Sequence, residues 1–247
     1  MIPKKIHFCW LSDEPFPRKI RKCMATWGKL HPDYEIKRWS TANFDINSIA
    51  FVKEAYEARK WAFAADYIRM YALYHEGGIY LDSDVILLKR LDDFLDNSFF
   101  SCMEYHPKQI EKCNTMQYVD DNGHRTADVF VSGIQMQAAV MGAEKGCPFV
   151  KEILDWYQDK HFLNDDGTLK TDLLSPYVYA RVAEKRGFVY KDIDQQLPER
   201  IHIYPSETFA GNKYEATQNS YAIHLCAHSW HLTPIEKVRK WLGLTMF

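Results

Sequence analysis

The chain lacks any stretch approaching the ~20 consecutive apolar residues of a membrane-spanning helix. It also begins M-I-P-K-K-I-H-F-C-W, with no long apolar run and no small-residue cleavage site, so no secretory leader is visible. Its six cysteines (Cys9, Cys23, Cys102, Cys113, Cys147 and Cys226) form no C-x-x-C pair and no zinc spacing. Zinc-ribbon and dithiol redox readings are thereby excluded, and free thiols in a reducing compartment are expected. Cytoplasmic residence is the corresponding expectation. Charge of one sign is lacking too: the formal net charge is −2. That removes the basic footprint of a nucleic-acid-binding domain, and no nucleic-acid partner is expected. Repeats and low-complexity linkers are absent as well.

What the chain does have is enough apolar material to bury a core. Of its 247 residues, 47% are hydrophobic and 15% aromatic, which excludes wholesale disorder. The length allows one large domain or two small ones, and with no linker in view a single domain is expected. Alternation over Ile6, Phe8 and Trp10 predicts a first strand. Pro17 opens a helix to about Leu30, and Glu35–Trp39 reads as a second strand. Helical patterns follow over Ser48–Ala58 and Trp61–His75, the latter stopped by Gly77-Gly78. Ile79–Leu81, Ser98–Met103, Gly133–Ala143, Ile201–Tyr204 and Tyr221–Leu225 read as strands. Pro148–Lys160, Ser175–Lys185 and Pro234–Leu242 read as helices, and 104–128 as a long loop or small subdomain. Strands alternating with helices predict an α/β fold with a largely parallel sheet flanked by helices. Ligands of such sheets gather at the carboxyl ends of the strands, where Trp10, Asp82 and Asp84 fall.

Asp82-Ser83-Asp84 is the most informative motif. Two carboxylates one residue apart in an extended chain point to the same side, and such a pair can hold a divalent cation. A solvated turn is the bland alternative, but the apolar I-Y-L before and V-I-L-L after make uncompensated carboxylates costly there. Asp66 and Arg69 share a face of the 61–75 helix. They read either as a surface ion pair, which contributes little, or as a carboxylate for a ribose or base and a guanidinium for a sugar hydroxyl or phosphate. Trp10 reads as core or as a flat ring for a nucleobase. His224 would complete a set of two carboxylates and one imidazole suited to Mn²⁺ or Mg²⁺. His228 stands at i+4 from His224, a spacing found in some zinc sites, but no H-E-x-x-H accompanies it.

The segments I-P-K-K-I-H-F-C-W, H-P-D-Y-E-I-K-R-W, A-A-D-Y-I-R through G-G-I-Y-L-D-S-D-V, G-A-E-K-G-C-P-F and A-I-H-L-C-A-H-S-W occur in that order over most of the chain. Together they resemble the DXD glycosyltransferases of the sugar-binding-region family. That family includes yeast initiating mannosyltransferases and bacterial capsular polysaccharide glycosyltransferases, with clostridial toxin glucosyltransferase domains as more distant relatives. The resemblance implies a GT-A-type, Rossmann-like domain, a nucleotide-sugar donor, Mn²⁺ or Mg²⁺, and transfer with retention of the anomeric configuration. By motif position it implies that Trp10 stacks on the base and Asp66 contacts the ribose or sugar. Arg69 would contact the donor sugar, Tyr80 the nucleotide, and Asp82 the ribose or sugar and the metal. Asp84 and His224 would ligate the metal, and Ser229 and Trp230 would touch the diphosphate. The chain departs from the pattern at Ala65, where the family has Ser before Asp66, and at Ala138, where it has Asn. Gln135 and Gln137 are the residues left to supply the missing polar contact.

A UDP-hexose donor and a glycan or lipid-linked oligosaccharide acceptor in surface polysaccharide synthesis are expected. No carboxylate nucleophile stands out, so a front-face route, in which the leaving phosphate helps deprotonate the acceptor hydroxyl, is the expected form of retention. Two other classes compete: a D-x-D phosphatase with Asp82 as phosphoryl acceptor, and a non-catalytic nucleotide-sugar-binding module. The 234–247 tail, with Ile235, Val238 and Leu242 near Lys237, Arg239 and Lys240, reads as a closing helix or as a basic face for peripheral contact with an anionic membrane.

Overall fold

The structure is a computed structural model and describes residues 1–170 and 174–226. In chain order its elements are β1 (Lys5–Cys9), α1 (Arg18–Leu30), β2 (Glu35–Trp39), α2 (Ala50–Glu57), α3 (Trp61–Glu76), β3 (Gly78–Leu81) and β4 (Val85–Leu87). Next come β5 (Phe99–Tyr105), α4 (Pro107–Lys112), β6 (Ile134–Met136), β7 (Val140–Ala143), α5 (Pro148–Tyr157) and α6 (Ser175–Ala183). The last are β8 (Gln195–Leu197), β9 (Ile201–Tyr204), β10 (Phe209–Ala210) and β11 (Ala222–His224). The predicted 234–242 helix lies outside the described residues, as do His228, Ser229 and Trp230.

The main sheet runs β2-β1-β3-β7-β5-β9-β8, with β6 paired to β5. Strands β1, β2, β3, β5 and β9 point one way, and β7 and β8 run against them. The α/β reading with a mostly parallel sheet therefore holds. A second sheet joins β10, β11 and β4. Alternation sends Ile79 and Leu81 of β3 to one apolar cluster, with Phe8 and Trp27, and Tyr80 to the other, with Ile68, Phe149 and Tyr179. Both faces are covered, as the continuous apolar run of β3 requires.

Helix α3 is buried on every side from Phe63 to Met70, the pattern of a central rather than a surface helix. It packs on β1, α2 and α5. Gly77 closes it with φ +67°, and Gly78 follows with φ +116°. A Cβ at Gly77 would lie 2.7 Å from the Lys145 backbone nitrogen, and one at Gly78 would lie 2.7 Å from the Lys5 carbonyl. Only glycine lets α3 turn this tightly into β3.

Two expectations change. The predicted 133–143 strand is two strands on the same side of β5. Tyr105, Glu104 and Met103 pair with Ile134, Gln135 and Met136, whereas Phe100 and Phe99 pair with Gly142 and Ala143. Ser101 and Cys102 thus face residues 137–141, and the surplus forms a wide bulge at Gln137-Ala138-Ala139. The predicted loop at 104–128 is partly regular: β5 runs to Tyr105, α4 follows, and Val119 bridges Arg125. Short elements bounded by Pro107, Gly123 and polar residues leave too little apolar periodicity to be read from sequence.

His7 illustrates how the sheet's inner positions are satisfied. It is wholly buried; its Nε2 donates to the Gly77 carbonyl (2.8 Å) while Nδ1 accepts from Trp39 Nε1 (3.0 Å). Burial pushes its pKa down to about 4, against an ordinary 6.5. Unfolding therefore takes up a proton below pH 6.5, and stability held above that pH is lost as pH falls toward 4. The full contribution is on the order of 3 kcal/mol. Urea unfolding across this window should show a steep fall for the wild type and a flatter profile for His7→Gln. Parallel profiles would refute the assignment.

Candidate functional site

Asp82 and Asp84 follow the carboxyl end of β3, beside the carboxyl end of the parallel strand β1, where Trp10 follows Cys9. The pair is not extended, as the sequence reading assumed. Val85 N–H donates to the Asp82 carbonyl (3.0 Å), closing a turn. Asp82 N–H donates to the Ala139 carbonyl (2.8 Å), so the bulge clamps the turn from the sheet side. Below it, Trp27 Nε1 donates to the Val85 carbonyl (2.8 Å), and the Leu87 N–H donates to Thr26 Oγ1 (3.0 Å). Ile20, Cys23 and Trp27 form the buried face of α1, so the helix holds the chain on the far side of the two aspartates.

His224 reaches the turn from the other end of the chain. Antiparallel pairing of β11 with β4 sets His224 opposite Val85. Its Nε2 lies 3.3 Å from Asp84 Oδ1 and 3.9 Å from Asp82 Oδ2. Its Nδ1 lies 3.5 Å from Cys226 Sγ, which in turn lies 3.3 Å from the Gly211 carbonyl oxygen. Burial pulls the imidazole pKa down, but Asp84, Cys226 and Asp82 outweigh it and hold it well above its usual range.

The three donor atoms of Asp82, Asp84 and His224 lie within 4.8 Å of one another. Two hard carboxylate oxygens and an imidazole, partly exposed on one side, fit an Mn²⁺ or Mg²⁺ ion with positions left for other oxygen ligands. A metal ion held there would require the imidazole in its neutral form.

Asp66 and Arg69 are not a surface pair. Asp66 is 7% exposed and Arg69 4%, and Arg69 Nη2 lies 2.8 Å from Asp66 Oδ1. Ser175 Oγ donates to Asp66 (2.9 Å). Arg69 Nη1 donates to the Ala138 carbonyl (2.6 Å), Nη2 lies 3.6 Å from Asp82 Oδ1, and the guanidinium sits 4.9 Å from the Tyr80 ring centre. Tyr80 OH donates to Asp82 Oδ1 (3.0 Å). Arg69 and Tyr80 thus fix the carboxylate of Asp82 from behind. Burial lifts the Asp66 carboxyl to about 6, opposed by Arg69 and Ser175. Burial acts against the Arg69 charge, yet Asp82, Tyr80 and Asp66 raise its pKa well above the ordinary value.

Trp10 is half-buried at the rim. Its ring meets Phe16 edge-on at 5.0 Å, and its Nε1 donates to the Glu14 carbonyl (3.0 Å). Gln135 Nε2 donates to Val131, whereas Gln137 lies in the bulge with Nε2 bonded to the Phe209 carbonyl. Trp10, Asp66, Arg69, Tyr80, Asp82, Asp84 and His224 are therefore described, and Asp66 through His224 form one connected group. Ser229 and Trp230 lie outside the described residues. Sequence reasoning passed over Ser175, the Ala138 and Ala139 carbonyls and Cys226. Backbone carbonyls leave no side-chain signal, and the Ser-Pro at 175–176 marked only a helix start.

The family described as "Glycosyltransferase sugar-binding region containing DXD motif" matches residues 17–101. Inositol phosphoceramide mannosyltransferase 2 of Schizosaccharomyces pombe is 34% identical over 239 residues, 94% of this chain and 59% of that protein. The initiation-specific alpha-1,6-mannosyltransferase of Candida albicans is 26% identical over 167 residues, 62% of this chain and 41% of that protein. The chain spans less than two thirds of the length of these relatives. Among solved structures, PaToxG glycosyltransferase superposes with a TM-score of 0.51 at 16% identity, covering 74% of this chain and 69% of that one. Its likeness concerns the fold, which is of GT-A type. The matched residues 17–101 carry the arginine helix, the DXD turn and the strands that lead into it, so this part of the chain is similar to the DXD-motif sugar-binding region of glycosyltransferases.

Proposed function

We propose that this chain transfers a hexosyl group from a nucleotide-diphosphate sugar to a hydroxyl of a glycan or lipid-linked acceptor. The observation that carries the reading is the convergence of Asp82, Asp84 and His224 at the sheet's carboxyl edge, backed by the buried cation of Arg69. A divalent ion held there supplies Lewis-acid neutralisation of the charge that develops on a departing diphosphate. Asp82 and Asp84 would hold that ion from the turn, and His224 would hold it from β11. Arg69 and Tyr80 keep Asp82 from rotating away, so the site is preorganised before the donor arrives. Trp10 presents an aromatic ring at the rim for the base, and its Nε1 bond to Glu14 keeps that ring in place. A UDP-hexose is the donor first expected from the motifs. The names of the similar proteins add a mannosyl donor to those tested beside it. The acceptor belongs to surface glycan or glycolipid synthesis, and the chain works at the cytoplasmic side, in contact with the membrane surface where its acceptor is lipid-linked. Among the described residues no helix is long and apolar enough to cross a membrane.

The test is calorimetric titration with UDP-glucose, UDP-galactose, UDP-N-acetylglucosamine and GDP-mannose, each with and without Mn²⁺, followed by slow donor hydrolysis. One donor should bind only when Mn²⁺ is present and should lose its sugar to water. A folded protein that binds none of the four with Mn²⁺ present refutes the reading. Release of phosphate from a generic phosphate ester, without donor binding, would point to D-x-D phosphatase chemistry instead.

A further inference from the structure

Gln137 carries a buried polar atom that the site described above does not use. The residue is 5% exposed. Its Nε2 donates to the Phe209 carbonyl (2.6 Å), but its Oε1 has no partner among the described residues. Leaving a buried carbonyl unpaired is costly, so the position calls for a donor that the described residues do not supply.

The space at Gln137 is a cavity of about 10 Å³, with Glu104, His106, Ser206, Gly211 and Glu215 also in its wall. That is room for one water or one hydroxyl group. Ser206 is already committed, with Oγ donating to Asp192 Oδ2 (2.7 Å). His106 Nε2 lies 3.0 Å from Glu104 Oε1. The wall therefore sets the neutral Gln137 side chain beside a carboxylate–imidazole pair. This set orients a small neutral donor, as sugar hydroxyls are, and lacks the four to six converging oxygens a bare cation needs.

The cavity borders the DXD site through two independent links. Gln137, Ala138 and Ala139 are consecutive in the bulge: Ala138 O receives Arg69 and Ala139 O receives the Asp82 N–H. On the other side, Gly211 O accepts from Cys226 Sγ, the neighbour of His224 Nδ1. A Cβ on Gly211 would lie 2.9 Å from Glu215 Oε2 and 3.8 Å from His106 Cε1. One glycine separates the His224 side from the cavity.

We propose that this cavity is an acceptor subsite: it takes a hydroxyl of a sugar ring, which donates to Gln137 Oε1 and is oriented by the Glu104–His106 pair. The hydroxyl is one neighbouring the attacked position, so Gln137 and His106 decide which sugar ring is accepted and how it is turned. The inference rests on the transferase reading, and its test separates the two. The full chain is mixed with Mg²⁺ and with UDP or GDP, and binding of each nucleotide is measured by calorimetry. Saturation-transfer NMR is then recorded with a panel of methyl α- and β-hexopyranosides. At least one glycoside should receive saturation from the wild type. Gln137→Met and His106→Ala should each weaken it about tenfold, the loss of one hydrogen bond, with nucleotide affinity unchanged. His106 is partly exposed, so its variant keeps the test open if Gln137→Met does not fold. Failure of both nucleotides to bind refutes the transferase reading. Nucleotide binding with no glycoside signal, or with glycoside affinity unchanged in both variants, overturns the acceptor subsite alone.

Discussion

Asp84→Ala should abolish metal-dependent donor binding and lower sugar transfer by about two to three orders of magnitude, the scale of losing preorganised electrostatic stabilisation. Asp84 sits in the turn between β3 and β4 and shares His224 with Asp82. It cannot be replaced by Asp82, which is already held by Tyr80 and faced by Arg69. The fold should survive, because the turn is closed by backbone bonds from Val85 to Asp82 and from Asp82 to Ala139. Circular dichroism and thermal unfolding would establish that, and Mn²⁺ titration with the nucleotide sugar present would read the binding. His224→Ala should weaken the ion without removing both carboxylates, and so fall between wild type and Asp84→Ala. An Asp84→Ala protein that binds its donor with undiminished Mn²⁺ dependence would remove the DXD turn from the site.

Arg69→Leu should be the most destabilising single change of a site residue. It strands the carboxylate of Asp66 in the interior and leaves the Ala138 carbonyl without its donor. Breaking a buried pair from one side costs about 3–5 kcal/mol. Removing both charges in Asp66→Asn/Arg69→Met should recover part of that loss, because no unpaired charge remains. Arg69→Lys should not recover it fully: one ammonium cannot serve Asp66, Ala138 and Asp82 together, as a planar guanidinium does. The deficit of Arg69→Leu also depends on pH. Burial already lifts Asp66 to about 6 in the presence of Arg69, and without Arg69 it rises further. A folded pKa above the unfolded one means that stability is lost as pH rises, so the deficit should be larger at pH 8 than at pH 6. Urea unfolding of the single and double variants at both values measures this. A single variant no less stable than the double would show that Asp66 and Arg69 are not coupled.

Several parts of the candidate site are legible in the amino-acid sequence. The A-A-D-Y-I-R run placed Asp66 and Arg69 on one helix face, and α3 bears them at i and i+3 within bonding distance. Gly77-Gly78 marked the end of that helix, and both glycines have positive φ. The apolar I-Y-L led to two aspartates at a strand's carboxyl end, where β3 delivers them. What was misread was local geometry: alternation of side chains suggested an extended Asp pair, but a turn bonded to the bulge brings the carboxylates together instead.

The amino-acid sequence by itself determined the alternation of strands and helices, the helix stop at Gly77 and the order in which acidic and basic groups arrive at the sheet edge. These depend on periods of 2 and 3.6 residues and on glycine's backbone freedom, all of which act over a few positions. Only the tertiary structure decided that Asp66 and Arg69 are interior, that Gln137-Ala138-Ala139 bulge toward Arg69 and Asp82, and that His224 joins the aspartates through β11 and β4. Those outcomes come from which strands pair and which faces pack together. That choice is made by burial of apolar surface summed over the whole chain, and no local pattern records it.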